Sequence, residues 1–512
     1  MPDCRDSSDC RDSSDRRDPL GDRTGPASDG VRYRLIRYAG LLGAVVLAAA
    51  AVLGGAVPDP APAGWAVFTS GRGALSVLCW LAGTAALTWA WWSARHGVPS
   101  VRWALVTIGI WTLPLLLAPP LGSRDVYSYA CQGWVHGAGG DPYDGLAGQG
   151  CPWIDAVAPL WRDTPAPYGP VFLVLASGAA TVGGTLAGTV LLLRLSSVVG
   201  LILVAAALPG LARRCGLPEG RAVWLALGCP VVAVHLVSGA HNDALMAGLL
   251  VAGLWAVGRR GGVLVGGLLL GLAAAVKVTA LVAVPFAIVL AVTDRRRAGP
   301  RRGGALAGLA RAGVSVTGGV LAAMAIAAGL SGLGPGWVGG LTRSGDSRQW
   351  TSPPTAVGLL IDYSGRLVGL RLDAVTATRT LAVVLLAGFL AVCWWWVWRG
   401  TGPLVAWRGL RAAHGPSGGS HDRGLVVFGA GVALAATVVA APVFYPWYLI
   451  WPLALLAAAA YRTRWFLLPV AVAGFLVLPD GSGIAPLTKA PGTVLMCGLI
   501  AALAVRAVRR SR

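Results

Sequence analysis

A polar stretch at residues 120–169 interrupts an otherwise apolar chain. It holds five of the chain's 22 acidic residues, with four tyrosines, three tryptophans and two cysteines. Binding and catalytic side chains concentrate on loops, whereas membrane spans mostly supply packing. A loop that gathers carboxylates and aromatic rings therefore predicts that the chemistry of this protein takes place there.

Asp125, in the sequence SRDVYSY, comes directly after an apolar run and is the first candidate in this stretch. A carboxylate fixed at the end of a span and partly desolvated can act as a general base. The alternative is a solvated loop acid or a helix cap. Arg124, Tyr127 and Tyr129 surround it, and aromatic rings beside an acid are typical of carbohydrate sites, because apolar sugar faces pack on rings.

Further polar groups interrupt the apolar segments. The tripeptide His241-Asn242-Asp243 separates two of them, which is costly unless the side chains face something polar. The alternative is a turn in which Asn242 and Asp243 cap the backbone. Lys277 requires an anionic partner, unless it extends to the membrane interface. Arg194, inside a span, has the same alternatives or pairs with a buried aspartate.

Two groups near later span ends add donors and rings. Arg343 and Arg348, in LTRSGDSRQW, are able to bind a phosphate bidentately or to interact with lipid head groups at the rim. Tyr445 and Trp447, in YPWY, form either a sugar-binding surface or part of an aromatic belt. Turns of the polar stretch supply three more candidates for substrate binding: Asp141, Tyr143 and Tyr168.

Cys131 and Cys151 lie in the same polar stretch and are candidates for a disulfide, the alternative being two free thiols. The sequence contains no H-E-x-x-H or D-x-D motif and no Cys/His spacing suited to zinc. We therefore expect no cofactor, with a divalent metal left open.

Composition defines the class of protein. The chain has 512 residues, of which 55% are hydrophobic and 12% are charged, and its mean hydropathy is +0.66. Soluble domains carry about twice that share of charge, and repeated apolar runs of this length predict an all-α polytopic membrane protein. The net charge of +20 comes from arginines scattered over short loops, so we expect no nucleic-acid partner.

The apolar runs predict a multi-helix bundle of about fourteen spans. Residues 1–31 predict a disordered cytoplasmic tail, and residues 32–512 an integral membrane domain with long outer loops at 120–169 and 332–375. The segment 170–185 predicts an interfacial or re-entrant helix. The predicted spans are 36–57, 74–92, 102–119, 186–210, 222–240, 244–258, 261–276, 278–293, 312–331, 376–398, 424–442, 447–460, 465–479 and 491–506.

Arginine placement predicts the orientation in a cell membrane. Every alternate loop is basic, which by the positive-inside rule makes that side cytoplasmic and puts both termini on it. Both long, chemically rich loops then face outward, so we expect the active site on the extracytoplasmic face.

Six sequence blocks carry a resemblance to a known family: SRDVYSYACQG, GGDPY, TPAPYGP, SGAHNDALM, AVKVTAL and FYPWYLIWPL. Together they resemble the GT-C class of glycosyltransferases and, more narrowly, the actinobacterial polyprenol-phosphomannose-dependent α-1,6-mannosyltransferases, which build the mannan core of lipomannan and related lipoglycans. The blocks run from about residue 120 to 455 and cover most of the membrane domain.

The resemblance implies a polyprenyl phosphomannose donor, an α-1,6-mannan or lipoglycan acceptor, and an inverting displacement on the outer face of the bilayer. Asp125 takes the place of the family's catalytic acid, and we expect the donor phosphate to be held by cations chosen from Lys277, Arg343 and Arg348, with His241 close by. The alternatives are a GT-C transferase of another lipid-linked sugar, and a lipid-sugar flippase or transporter. Transporters place charges at mid-membrane, whereas here the charges collect at outer span ends, which favours an enzyme.

Overall fold

The chain is all-α, as predicted. Within the residues that the computed structural model describes there is no strand, and one isolated β-bridge joins Val477 to Gly483. The first helix begins at Pro26, inside the predicted tail; the rest of that tail lies outside the described residues. The structure describes residues 26–58, 70–293, 302–343, 347–400, 403–408 and 420–511.

Twenty α-helices, labelled α1 to α20 in chain order, lie in these ranges, and short 3-10 helices connect several of them. A π-helix at Val232–Ser238 follows α7. The helices are Pro26–Gly54, Gly71–Ser93, Val101–Leu117, Asp125–Gly137, Pro170–Gly183, Leu186–Arg214, Glu219–Leu227, Asp243–Val257, Val263–Val276, Val284–Thr293, Arg302–Ser331, Trp337–Arg343, Pro353–Leu367, Ala374–Arg399, Leu404–Arg408, Ser420–Ala440, Ile450–Ala459, Arg464–Ala473, Ile484–Leu487 and Lys489–Ser511.

The predicted spans differ in length in the structure. Among the described residues, seven helices are long and apolar enough to cross a membrane: α1, α2, α6, α11, α14, α16 and α20. The predicted span 222–240 is α7 and the π-helix, bent by 65° at the break between them. The other six are apolar helices of 10–17 residues, shorter than the ~20 residues a full crossing requires. The total of fourteen spans therefore stays a prediction.

Burial separates central helices from peripheral ones. Nearly every residue of α8 and α17 is buried, and both helices are apolar on all sides, as helices inside a bundle are. In contrast, only 11% of the span windows of α14 and α20 are buried. Their exposed apolar side chains give these two helices a surface suited to lipid.

Close helix contact in the centre depends on glycine. Gly200 on α6 and Gly248 on α8 face each other's backbone, and a Cβ at either position would collide with main-chain atoms of the opposite helix. Small residues permit such close approach, which is how helices associate where lipid gives no hydrophobic drive. This contact places the N-terminal end of α8 firmly against α6.

Arg194 of α6 binds backbone carbonyls, so its predicted pairing with an aspartate is wrong. Its guanidinium donates to the carbonyl oxygens of Leu116 and Ala118 at 2.9 and 2.7 Å, and to that of Ser238 at 3.0 Å. The ends of α3 and of the π-helix leave carbonyls without helical partners, and a cation satisfies them well. Arg194 thereby fixes the break that precedes α8.

The two predicted outer loops are largely folded. Residues 120–169 contain α4 and three 3-10 turns, and 332–375 contain α12 and α13. A disulfide joins Cys131 on α4 to Cys151, with the Cα atoms 5.6 Å apart. The disulfide ties the glycine-rich segment that precedes the turn at Ile154–Ala156 to α4. The segment 170–185 contains α5, an apolar helix of 14 residues, and its interfacial or re-entrant position stays a prediction.

Replacing both Cys131 and Cys151 by alanine should destabilise the protein. A bridge across a sequence separation of 20 residues restricts the unfolded chain and contributes on the order of 3 kcal/mol, so the midpoint of thermal unfolding in detergent should fall. Alkylation followed by mass spectrometry checks the bridge itself. Without reduction, the partly exposed Cys79 and Cys497 serve as reference thiols; alkylation of Cys131 and Cys151 as well would show that they are unpaired.

Candidate active site

Asp125 is the first residue of α4. Its backbone N–H donates to Ser123 Oγ at 3.1 Å, and its side chain is 18% exposed. Arg124 occupies the N-cap position before it and makes no side-chain capping bond. Asp125 is therefore neither a cap nor a freely solvated acid. Its carboxylate lies in the first turn of the helix, where the backbone N–H groups favour negative charge.

A chain of polar groups connects Asp125 to the turn before α8. His241 Nδ1 lies 3.9 Å from Asp125 Oδ2 and 3.1 Å from the Tyr129 hydroxyl. That hydroxyl in turn accepts from the Tyr168 hydroxyl at 3.4 Å. Three of the predicted sequence blocks thus meet at one point, and Asp125 is held beside a histidine and two phenols.

Asp243 and Lys277 form a buried ion pair. Lys277 Nζ donates to Asp243 Oδ1 at 2.8 Å, and Trp451 Nε1 donates to the same oxygen at 2.6 Å. The Lys277 side chain is 11% exposed and the Asp243 side chain is fully buried. The ammonium also lies 4.6 Å from the ring centre of Tyr448. Lys277 therefore has an anionic partner and points inward. The alternative in which its side chain extends to the membrane interface does not hold.

Stacked rings line the other side of Asp125. Trp447 stacks on His241 with ring centres 3.7 Å apart, and Tyr445 stacks on Trp447 at 4.6 Å. Trp447 is only 5% exposed. A ring at the lipid interface would have its indole N–H in the head-group region, so Trp447 belongs to the site rather than to an aromatic belt.

The turn between the π-helix and α8 presents the polar tripeptide. Ala240 has a φ of 54°, the left-handed region that a residue with a Cβ seldom adopts. Such strain persists only where the surroundings impose it, and it clusters at functional sites. Asn242 follows it and is buried, and its side-chain amide has no hydrogen-bond partner among the described residues. The alternative in which Asn242 caps α8 therefore does not hold, because its side chain makes no capping bond.

Asp125 lies where two cavities meet. The larger cavity, of about 270 Å³, has Arg124, Asp125 and Asp480 in its wall. The smaller, of about 50 Å³, has Asp125, Tyr168 and Lys277 in its wall. The rings of Trp161, Tyr445 and Trp447 line both cavities.

Burial raises the pKa of Asp125 to about 6, although Lys277 and Ser123 act in the opposite direction. The group is therefore ionised at neutral pH yet basic enough to accept a proton, which is the range in which a general base works best. The described residues hold no group of three or more His, Cys, Asp or Glu side chains suited to a metal ion.

Four predicted residues of the polar stretch have structural contacts. The Tyr127 hydroxyl donates to the Ala56 carbonyl, and Arg124 donates to the carbonyls of Pro58 and Ala156 while also lining the larger cavity. Asp141 accepts from the backbone N–H of Tyr143, whose hydroxyl donates to the Tyr168 carbonyl. Tyr127, Asp141 and Tyr143 line neither cavity, so they support the site from outside.

The two predicted arginines of the second outer loop lie outside both cavities. Arg343 ends α12, and Arg348 forms an exposed ion pair with Asp373 at 3.4 Å. Of the three cations predicted to bind phosphate, only Lys277 lines a cavity that contains Asp125. The sequence interpretation that grouped the arginines with Lys277 came from their shared loop side alone.

Several residues of the site were not selected from the sequence. Tyr448 and Trp451 lie one turn beyond Tyr445 and Trp447, so the spacing of rings in FYPWYLIWP was a usable signal. The position of Asp480, in the polar turn PDGSG after an apolar run, was a second usable signal. Trp161 and Gln349 had no comparable signal, because only the folded chain places them beside Asp125.

The fold and the site define a polytopic helical membrane protein with a buried acid between two cavities. Residues 37–293 match the family described as "Alpha-(1->6)-mannopyranosyltransferase, N-terminal domain", and residues 419–510 match the "MptB C-terminal domain". The chain belongs to the alpha-(1->6)-mannopyranosyltransferase family. No solved structure matches it.

Individual relatives match over much of the chain. Alpha-(1->6)-mannopyranosyltransferase A of Mycobacterium tuberculosis is 33% identical, over 86% of this chain and 84% of its own length. Alpha-(1->6)-mannopyranosyltransferase Rv1459c of the same organism is 34% identical over 69% of this chain, and the match spans 65% of the relative's length. A probable alpha-(1->6)-mannopyranosyltransferase of Mycolicibacterium smegmatis is 35% identical over 70% of this chain, again 65% of its own length.

The Asp243–Lys277 pair gives a stability prediction. Asp243→Asn or Lys277→Met alone leaves an uncompensated buried charge, which costs roughly 3–5 kcal/mol. The double variant removes both charges, so its loss should be smaller than the sum of the single losses, by about 1–3 kcal/mol. Thermal unfolding of the four proteins in one detergent measures this. Losses that simply add would mean that the two groups do not interact.

Proposed function

We propose that the chain is a membrane mannosyltransferase that moves mannose from polyprenyl phosphomannose to an α-1,6-mannan or lipoglycan acceptor. The observation that carries this proposal is the place of Asp125, a partly buried carboxylate that lines two cavities, the smaller of which also has Lys277 in its wall. A transferase needs a base within reach of the acceptor and a positive charge near the leaving phosphate. Family membership supplies the sugar and the linkage.

The reaction is an inverting displacement. An acceptor hydroxyl oxygen attacks the anomeric carbon of the donor mannose, and the bond from that carbon to the phosphate oxygen breaks. The hydroxyl proton passes to the Asp125 carboxylate, and polyprenyl phosphate leaves with the electron pair. Because the base is already fixed at the start of α4, little reorganisation accompanies proton transfer.

Lys277 is the residue best placed for the leaving phosphate. Its ammonium lines the smaller cavity together with Asp125 and Tyr168. Negative charge grows on the phosphate as the sugar departs, and a fixed cation in a poorly hydrated site stabilises that charge. Asp243 and Trp451 hold the ammonium in place, so its position does not depend on the substrate.

Arginine distribution favours an active site on the outer face. Segments with few arginines, 120–169, 240–243, 443–446 and 480–490, supply much of the walls of the two cavities and the turn beside Asp125. The positive-inside rule assigns these segments to the extracytoplasmic side, with both termini in the cytoplasm. Cysteine labelling of intact cells at a position in 480–490, with an impermeant reagent, tests this side.

Membranes containing the overproduced chain test the activity. They are incubated with labelled polyprenyl phosphomannose and a short α-mannoside, and the product is digested with an α-1,6-specific mannosidase. The proposal is supported if label appears on a longer mannoside and the added mannosidase releases that label. Transfer only from another lipid-linked sugar would make the chain a different transferase, and movement of the lipid across the membrane without transfer would make it a flippase.

Asp125→Asn should lower the transfer rate by roughly 10²–10⁴-fold, because the amide cannot accept the hydroxyl proton. The variant keeps the size and the Ser123 contact of the original, so the protein should insert and fold normally. Asp155→Asn is the matched control, since this aspartate lies in the same stretch with a side chain 97% exposed. Transfer by Asp125→Asn at the rate of the control would exclude Asp125 as the base.

Activity should fall in acid. Burial disfavours the charged carboxylate and raises the pKa of Asp125 to about 6. The base form is therefore lost as pH falls through this value, and kcat/KM should drop about tenfold per pH unit below it and level off above it. Initial rates between about pH 5 and about pH 8 measure the profile. A profile without this inflection, or one that persists in Asp125→Asn, would assign the ionisation to another group.

A further inference from the structure

The larger cavity has Asp125 in its wall but not Lys277, which lines the smaller one. Its walls come from chain segments far apart in sequence: the start of α4, the segment around Gln349 and Thr351, and the turn from Asp480 to Gly483. The last two segments contain no residue that has a role in the proposed mechanism. A cavity that contains the proposed base but not the cation assigned to the leaving phosphate suits the second substrate.

The chemistry of this wall suits a neutral sugar. The rings of Trp161 and Tyr445 offer flat apolar surface, on which the C–H face of a pyranose packs, whereas Trp447 is already stacked with His241 and Tyr445. Gln349 and Thr351 add groups that both donate and accept hydrogen bonds, as sugar hydroxyls do. The charged side chains of the wall are Arg124, Asp125 and Asp480, a formal net charge of −1, so the cavity disfavours an anionic ligand and suits a neutral one.

Size separates the two cavities further. The larger holds about 270 Å³, just below the ~300–1,000 Å³ typical of sites for drug-sized ligands, and so has room for one or two hexose units. The smaller holds about 50 Å³ and must widen before a sugar ring can enter. The larger cavity is therefore ready for a substrate in this structure, whereas the other is not.

Asp480 is a fixed polar group in the wall of the larger cavity, in a turn joined to the segment before Asp125 by the bond from the Gly122 backbone N–H to the Pro479 carbonyl. Its two carboxylate oxygens accept from the backbone N–H and the hydroxyl of Ser482, at 3.0 and 2.6 Å. These bonds orient the carboxylate, and each oxygen keeps a further lone pair. A carboxylate only accepts hydrogen bonds, so it recognises hydroxyl donors at a defined distance from the reacting hydroxyl at Asp125.

We propose that the larger cavity is the acceptor subsite and binds the terminal one or two units of the growing mannoside, with Asp480 as a specificity-determining residue. This inference rests on the proposed function. The terminal sugar stacks between the rings, one hydroxyl reaches Asp125, and hydroxyls further along the sugar donate to Asp480. A chain end fits this cavity and the remainder of the mannan extends outside it.

Kinetics give the first test. Asp480→Asn keeps the size of the side chain and one acceptor oxygen, and should raise the KM for a short α-mannoside about tenfold while leaving the KM for the lipid donor unchanged. Asp144→Asn, an exposed aspartate outside both cavities, is the matched control. A merely structural role for Asp480 would change both KM values or the yield of folded protein, and would overturn its assignment.

A labelling test does not depend on turnover. Gly483 lines the larger cavity, and a Cβ there meets Pro486 Cδ at an ordinary 3.4 Å, so Gly483→Cys should fold. Gly334→Cys is the matched control, since Gly334 is exposed and has nothing within 4 Å of a Cβ. Maleimide labelling of each site is followed by mass spectrometry of its peptide. We expect α-1,6-mannobiose to slow labelling of Gly483→Cys several-fold and to leave that of Gly334→Cys unchanged.

The outcomes separate this inference from the proposed function. Mannose transfer by the wild-type protein without protection of Gly483→Cys rejects the acceptor subsite and leaves the function standing. Protection by polyprenyl phosphomannose instead of mannobiose also rejects it, by assigning the larger cavity to the donor. Absence of mannose transfer in wild-type membranes, with the protein folded, rejects the proposed function, and the acceptor assignment falls with it.

Discussion

The buried ion pair between Asp243 and Lys277 is the contact on which the site depends. It joins the start of α8 to the point where α9 ends, and Trp451 ties α17 to the same carboxylate. Three segments that are far apart in the chain are thus fixed at one place. Neither charge would be stable alone in this apolar interior, because burial of an unpaired ion costs several kcal/mol. The pair therefore connects α8, α9 and α17 and also holds the Lys277 ammonium at the site.

The interruption between the π-helix and α8 positions the residues around this ion pair. A helix that continued from the π-helix into α8 would have kept His241 on a helix face, whereas with Ala240 in the left-handed conformation its ring lies beside Asp125 and Tyr129. Arg194 satisfies the carbonyls that the break exposes, and Gly200 lets α8 approach α6. Interruptions of this kind are tolerated in membrane helices where neighbours satisfy the freed backbone groups. Local strain here is compensated by contacts on every side.

Much of the site followed from the sequence because its residues are chemically out of place. Asp125, His241, Asp243 and Lys277 interrupt or border apolar runs, and ionisable groups in such surroundings are costly unless they have a partner. That argument identified them without saying which partner each would take. Arg348 was selected on a different ground, as a donor in the second outer loop, and it forms an exposed pair with Asp373, because a place in a loop does not define a position in space.

The sequence by itself determined the class of fold, the positions of most helices and the chemically active blocks, because hydrophobicity and the cost of buried charge are local properties of the chain. Only the tertiary structure decided that Lys277 pairs with Asp243, that Arg194 binds carbonyls, and that α4 presents Asp125 to two cavities. It also brought Trp161, Gln349 and Asp480 to one wall. Those choices depend on how helices pack and where they break, which are contacts between residues that no local pattern relates.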